Sequence, residues 1–424
     1  VIQEQRQRFN EAYSANKYAT LLQMLEERCG CKVEFRVAET PIFLEKRMLD
    51  EMARLGSGMA CQLIDDPVYL EEARRAIPQD YRVPGECRHP HFLTADFALV
   101  REASGELTPR LVEIQAFPSV YAYQAVLNRA YLLAYGLDQN LCWYLDGLDR
   151  DGFWELLSRT VLGGQDPIHV VLTEIDPLHQ KTRPDFEVTA KRLGISVVDI
   201  RSLEGEGDKL YYRNGQGKRI AINRIYNRAI ADELAARNVQ LPFDLTKKWD
   251  VQWAGHPNWY FLISKFSLPW LTRKGGWDRV VPPAVFLDDF LRGPGRERLQ
   301  AAGVNLPTVG PNAVYPELLL KPLFSFAGKG IEFDPTQAQL EAIPADQRSG
   351  YLLQQRMRFE PTIETPFGMT QAEIRILYLW PDRGTLRPVL PLVRLGRGKM
   401  MGVDHNKNQE WVGGSAAFYP RPAE

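Results

Sequence analysis

The hydrophobic pattern changes period several times along the chain. Phe9, Tyr13, Tyr18, Leu21, Leu22 and Leu25 recur at helical spacing, and CKVEFRVA (31–38) then alternates as a strand does. HFLTADFALV and RLVEIQAF are strand-like runs joined by the turn-forming EASGELTP, which predicts a hairpin over 91–117. A helix is predicted over Tyr121–Tyr135, followed by CWYLDGL. Past GGQDP, the β-branched run IHVVLT suits a buried parallel strand. A helix over Arg183–Leu193, the strand SVVDI and a hairpin in KLYYRNGQGKRIAI follow, and RIAINRIYNRAI closes this unit. Strand, helix and strand at that spacing predict a small α/β layer of about 80 residues. The remainder opens with Trp-rich helical segments broken by KGG, VPP, RGPGRE and LPTVGPN. It then becomes β-rich, in ELLLKPLF, KGIEF, YLLQQRMRF, AEIRILYLW and RPVLPLVRL.

Composition narrows the class. A length of 424 residues predicts about two to three domains, and 45% hydrophobic residues can fill their cores. Lys and Arg (52) balance Asp and Glu (53), so no global charge attracts nucleic acid or an anionic membrane, and neither is expected as a partner. Five thinly spread cysteines and the polar start VIQEQRQRF fit a reduced, cytoplasmic protein. No apolar run approaches the ~18–20 residues of a membrane span.

Candidate chemistry sits in four stretches. In ELLLKPLFSFAGKGIEF a strand delivers Lys321, a loop runs through Ser325, Gly328 and Gly330, and another strand begins. Glycines let backbone N–H groups approach an anion and a strand-end lysine supplies a charge for phosphate. A Gly-containing hairpin with a solvated lysine explains the same residues, and the P-loop order is absent. YLLQQRMRFE turns polar around Gln354, Gln355 and Arg356, and in AEIRILYLW Glu373 and Arg375 alternate with apolar residues. A strand arginine that is buried needs a partner, either a phosphate or a carboxylate such as Glu373. VRLGRGKMMGVDHNKNQEWVGGSAAF adds Arg394, Arg397, Lys399, Asn406, Asn408 and Gly413-Gly414, which suit an anion-handling loop or a solvated one. Near the other end, Asp96 lies on one hairpin strand while Glu113 and Gln115, two apart, share a face of the other. Such hard oxygens suit Mg²⁺ when phosphates complete its shell, and a metal would offset the cost of burying Glu113 within LVEIQAF. An ordinary solvated sheet face is the alternative.

Together these pieces resemble one family. LLLKPLFSFAGKGI resembles the phosphate-lid strand–loop–strand of ATP-grasp ligases, and EIRI resembles their arginine strand. R…NKNQEWVGGSA resembles their Arg…Asn…Gly-Gly segment, and ADFALV…LVEIQAFPS their two metal strands. Metal strands usually come last in that family and here come first. The resemblance is therefore to circularly permuted ATP-grasp proteins, the glutathionylspermidine-synthetase-like ligases. It implies an α/β (α+β) fold, a circularly permuted ATP-grasp with an inserted small Rossmann-like pre-ATP-grasp domain. In that scheme residues 1–160 form the C-terminal-type half of the catalytic domain and 161–245 the pre-ATP-grasp domain. Residues 246–310 form a helical approach to the ATP site, 311–362 the lid, and 363–424 catalytic strands that pack with 1–160. The two chain ends should then lie close together.

The resemblance also implies roles. Lys265 and Lys321 would hold the α- and β-phosphates of ATP, and the loop Ser325–Gly330, with Gly328, would cover the γ-phosphate. Gln354, Gln355 and Met357 would form the adenine hinge, Glu360 would accept from the ribose, and Asn408 would complete the nucleotide site. Asp96, Glu113 and Gln115 would hold Mg²⁺, while Arg375 and Arg394 would stabilise the transferring phosphoryl group. The implied activity is carboxylate–amine ligation through an acyl-phosphate on small-molecule substrates, with release of ADP. Two departures stand out: Gln115 replaces the usual Asn, and FSFAGKG is lean in glycine. They motivate a nucleotide-binding protein without turnover as an alternative, and a small-molecule kinase of the same fold is another.

Other features add less. Cys29 and Cys31 lack a second thiol pair for a zinc site, and no GxSxG-like elbow supports a hydrolase. His89 and His91, just before the Asp96 strand, are substrate candidates, with a structural loop as the alternative. Arg224 and Arg228 in NRIYNR lie at a strand end, where open α/β sheets bind ligands, and are substrate candidates against surface salt bridging.

Overall fold

The computed structural model describes residues 1–310, 312–325, 328–399, 401 and 408–421. In chain order the strands are β1 (Ile42–Phe43), β2 (Phe92–Arg101), β3 (Leu107–Gln115), β4 (Leu141–Cys142), β5 (Val170–Glu174) and β6 (Ser196–Asp199). Next come β7 (Glu204–Glu206), β8 (Lys209–Arg213), β9 (Arg219–Ala221), β10 (Arg224–Asn227), β11 (Gln252–Ala254) and β12 (Ala284–Phe286). The rest are β13 (Leu318–Pro322), β14 (Glu332–Phe333), β15 (Tyr351–Gln355), β16 (Pro361–Thr365), β17 (Gly368–Leu379), β18 (Arg387–Gly396) and β19 (Gly413–Pro420).

The largest sheet runs β1-β19-β18-β17-β2-β3, with β16 on β17 and β4 on β19. It interleaves strands from the two ends of the sequence. β17 pairs antiparallel with β18 on one side and β2 on the other, and β1 pairs parallel with β19. Residues 92–99 of β2 are all buried, because both faces of the sheet are covered. Leu93, Ala95, Phe97, Ile374, Ile376 and Tyr378 pack in one core with the helix Lys46–Ile64. A Cβ on Gly56 of that helix would stand 2.1 Å from the Tyr378 hydroxyl, so glycine permits the contact. On the opposite face Phe92, Leu377 and Leu379 pack with the helix Tyr121–Tyr135. Thr94, Asp96, Glu373 and Arg375 share that second face by parity.

A four-stranded parallel sheet, β11-β10-β5-β6, forms the α/β layer, and it continues past residue 245 to Ala254. An antiparallel sheet, β12-β15-β13-β14, draws its edge strand from Ala284–Phe286, upstream of residue 311. β7-β8-β9 is a three-stranded meander. No helix among the described residues is long and apolar enough to cross a membrane.

Most elements fall where periodicity places them, the helices Tyr121–Tyr135 and Arg183–Leu193 to the residue. CKVEFRVA is the exception: only Val37 bridges, to Gly414. In parallel register residues 31–35 run back beyond Gly413, where β19 begins, so their alternation finds no ladder to join. Gly413 makes the close approach possible, with φ +121° and an added Cβ only 2.4 Å from the Arg36 carbonyl oxygen. Gly413→Ala should lower stability by ~2–4 kcal/mol in denaturant unfolding. Gly105→Ala, at positive φ but with nothing within 4 Å, should cost about 1 kcal/mol.

Candidate functional site

Register alone assembles the centre of the site. Asp96 on β2 stands opposite Arg375 on β17 and opposite Glu113 on β3, while Glu373 stands opposite Arg394 on β18. The Asp96 carboxylate, 1% exposed, receives both arms of Arg375 at 2.6 Å and a further contact from Arg394. Arg394 also reaches Glu373. A buried carboxylate without partners would cost several kcal/mol, and the paired guanidinium groups hold that of Asp96 below the usual carboxylate range despite its burial. Glu373, also buried but left the weaker share, is pushed up to about 7 by desolvation. The pairing thus differs from an Arg375–Glu373 pair within one strand, because the two lie along β17 and the cross-strand neighbours are nearer.

Glu113 is held more loosely. Its oxygens lie 3.7 Å from Lys265 Nζ and 3.9 Å from Arg375, beyond hydrogen-bond reach. Lys265 is buried and donates to the Ser325 carbonyl at 2.7 Å and its hydroxyl at 3.3 Å. Lys321 is buried on β13 and donates to Gln354 Oε1 at 2.5 Å. Burial pulls its ammonium down to about 8, with repulsion from Lys265 adding and attraction to Glu113 opposing. Lys265, Lys321, Arg375 and Arg394 therefore converge with Glu113, Asp96 and Glu373 where the large sheet meets the β12–β15 sheet. Such a site, four cations to three carboxylates, suits a polyanion once further positive charge enters with it.

The other sequence-derived candidates divide. Gln354 is fully buried with its Nε2 unpartnered, while the Gln355 backbone N–H is already given to Pro283 at 2.8 Å. Met357 is half-buried beyond the end of β15. Gly328 and Gly330 have φ of +73° and +72°, and Gly330 lies against Pro322, where a Cβ would be 2.9 Å away. Residues 326–327 of the loop after β13, expected as part of a lid, and Asn406 lie outside the described residues. Asn408 is exposed. Glu360 is spent on Arg101 at 2.8 Å.

The four substrate candidates stand elsewhere. Arg224 gives its guanidinium to the Thr160 and Val161 carbonyls that end the helix Arg150–Leu162, to Gln252 and to Asp382. That is a buried C-terminal helix cap, with the positive charge complementing the negative end of the helix dipole. Arg228 binds the Pro118 and Ser119 carbonyls at 2.5 and 2.6 Å and so pins the turn after β3. His91 bridges Asp382, at 2.7 Å, and the Gly255 N–H, and His89 stacks on Trp380 at 4.1 Å. These four hold elements together and none reaches the charged cluster. Asp382, which gathers His91 and Arg224, carried no sequence signal: it sits in a turn, and only the fold brings its partners to it.

For a divalent cation the donors fit in part. Asp96, expected as a ligand, has both oxygens engaged by arginines. Glu113 and Gln115, on one face of β3, make no side-chain hydrogen bond among the described residues, and one carboxylate and one amide oxygen suit Mg²⁺ completed by phosphates. No group of three or more His, Cys, Asp or Glu that could hold a metal occurs among the described residues.

No family model matches the chain. No curated protein matches it. The solved apo structure of a glutathione synthetase-like effector from Globodera pallida superposes with a TM-score of 0.53, covering 96% of this chain and 98% of that one at 10% identity. The likeness is one of fold, a mixed α/β architecture with several sheets. A protein assigned as a gamma-glutamylcysteine synthetase, from Methylobacillus flagellatus, gives a TM-score of 0.35 at 14% identity over 82% and 84% of the chains, too low to carry weight.

Breaking the arginine–aspartate lock should be costly. Arg375→Met, which leaves the buried Asp96 carboxylate to Arg394 alone, should lose ~2–4 kcal/mol in urea unfolding, whereas Glu113→Gln should change stability by less than ~1 kcal/mol.

Proposed function

We propose that the chain is an ATP- and Mg²⁺-dependent carboxylate–amine ligase of the circularly permuted ATP-grasp kind, acting on small molecules. The observation that carries this reading is the convergence of two buried lysines on Glu113 and of two arginines on Asp96, its partner in register, between two sheets. The order of the elements supports it, since the strands bearing Asp96 and Glu113 precede those bearing Lys321 and Arg375 yet share the site. The fold likeness to a glutathione synthetase-like effector agrees with it.

In this reading Lys265 and Lys321 bind anionic phosphate oxygens, and Ser325, tied to Lys265, begins the loop that covers them. Gln354 orients Lys321 and keeps an unused amide donor beside it. Arg375 and Arg394, fixed by Asp96, present their charge where a phosphoryl group moves to the substrate carboxylate, preorganised so that little rearrangement is needed. Glu113 and Gln115 would hold the Mg²⁺, which supplies charge neutralisation on the phosphates when bound. An amine then displaces phosphate from the acyl-phosphate, and ADP and phosphate leave. Exclusion of water by the loop protects that intermediate.

Incubation with Mg·ATP and a panel of acids and amines should release ADP and not AMP, and Glu113→Ala should lower turnover at least ~100-fold. The engagement of Asp96 by two arginines favours one second reading, nucleotide binding without turnover. It would be recognised by thermal stabilisation with Mg·ATP and no ADP from any substrate pair. Lys321 gives a pH test. Anions bind its charged form, so affinity for ADP should hold below about pH 7, drop about twofold by pH 8 and about tenfold by pH 9 as the free ammonium titrates. Lys321→Arg, charged throughout, should remove the fall.

A further inference from the structure

Lys321 and Gln354 form a pair that the charged cluster leaves incomplete. Across β13 and β15, Lys321 stands opposite Leu352 and Leu319 opposite Gln354, so the two side chains are diagonal neighbours on one face. Both are buried, Gln354 fully. Lys321 Nζ donates to Gln354 Oε1 at 2.5 Å and to no other group among the described residues. An ammonium carries three N–H donors, so two are left unspent. Gln354 shows the matching deficit, since its Nε2 is buried with no hydrogen-bond partner. A buried polar group left in that state is costly.

The charge of Lys321 is also poorly compensated. Lys265 lies 3.7 Å from Glu113 and donates twice to Ser325, whereas Lys321 makes no ion pair among the described residues. Burial pulls its ammonium down to about 8, and repulsion from Lys265 adds to the effect, so some neutral amine is present near pH 7. A desolvated amine beside a second cation is the setting in which lysine acts as a nucleophile.

Carbon dioxide is the electrophile that meets these deficits together. The Nζ lone pair forms an N–C bond, one C–O π bond opens to a carboxylate oxygen, and the nitrogen releases a proton to solvent. The resulting carbamate keeps a single N–H, which stays on Gln354 Oε1, and holds one of its oxygens syn to that N–H. Such a group matches the oxygen and N–H of a primary amide in a cyclic pair of hydrogen bonds, so the idle Nε2 gains an acceptor. An N-acetyl group does not, because its oxygen stands anti to the N–H in a trans amide. The charge at Lys321 changes from positive to negative, which turns repulsion from Lys265 into attraction. The attraction to Glu113 that is given up acts from beyond ion-pair distance.

We propose that Lys321 is a carbon dioxide-capture site, reversibly carbamylated, with Gln354 as the group that recognises the carbamate. The modification rests on this pair alone. Its consequence, exclusion of nucleotide phosphate from Lys321, rests on the nucleotide reading of the site.

The full chain equilibrated with ¹³C-bicarbonate at about pH 8 should show a protein carbamate resonance in carbon NMR. Trapping with trimethyloxonium, digestion and mass spectrometry should place the methyl carbamate on Lys321 and not on Lys265. This mapping uses the wild-type chain, so the assignment stands apart from how any variant folds. Lys321→Arg should remove the resonance, and Gln354→Glu, which trades the N–H donor for a repelling carboxylate, should lower occupancy about tenfold. ADP should bind at least ~5-fold more weakly in about 0.1 M bicarbonate than in chloride of equal pH and ionic strength. No carbamate on Lys321 in about 0.1 M bicarbonate, or unchanged occupancy in Gln354→Glu, would overturn the proposal. A carbamate on Lys321 without ADP binding in either salt would refute the nucleotide reading and leave the capture site standing. ADP binding without the carbamate would refute the capture site alone. Equal ADP affinity in the two salts with the carbamate in place would refute the exclusion of phosphate from Lys321.

Discussion

The carboxylate of Asp96, sealed within the large sheet, is the constraint on which the rest of the architecture depends. Its burial is affordable only because Arg375 and Arg394 meet it from β17 and β18, nearly three hundred residues later in the chain. Those three strands must therefore lie side by side, which draws the first and last parts of the chain into one sheet. Glu113 and Glu373, the neighbours in register, then inherit positions between the same cations. The site and the core of the sheet are one feature: the same ion pairs that make the buried face tolerable aim positive charge at its open end.

The smaller layers are joined to this sheet by polar contacts at its margins. Arg228, at the end of β10, pins the turn after β3, and His91 and Arg224 meet on Asp382. Lys265 joins the segment following the parallel sheet to the loop after β13 through Ser325. Each contact positions backbone around the charged cluster without entering it. A histidine and arginines that look reactive in sequence thus act as fasteners, and the catalytic proposal falls on residues placed by sheet register.

Much was legible where periodicity and turn chemistry agreed. The hairpin of β2 and β3, with Asp96, Glu113 and Gln115 on one face, follows from two alternating runs around a Gly-containing turn. The helices Tyr121–Tyr135 and Arg183–Leu193 end at glycines in left-handed conformation, a local stop signal. CKVEFRVA misled because alternation reports a strand's own pattern and not whether a neighbouring strand extends far enough to pair with it.

By itself the sequence determined local matters: which segments become strands and helices, where glycines admit close approach, and which residue types could hold phosphate, metal and charge. Tertiary structure alone decided the pairing of those charges. It gave Asp96 to two arginines, left Glu113 and Gln115 without a side-chain hydrogen bond among the described residues, and set Arg224 as a cap on the helix Arg150–Leu162. The physical reason is range. Propensity and periodicity act over a few residues, whereas the preference of a buried ion for one partner over another is settled by which strand is its neighbour in the sheet.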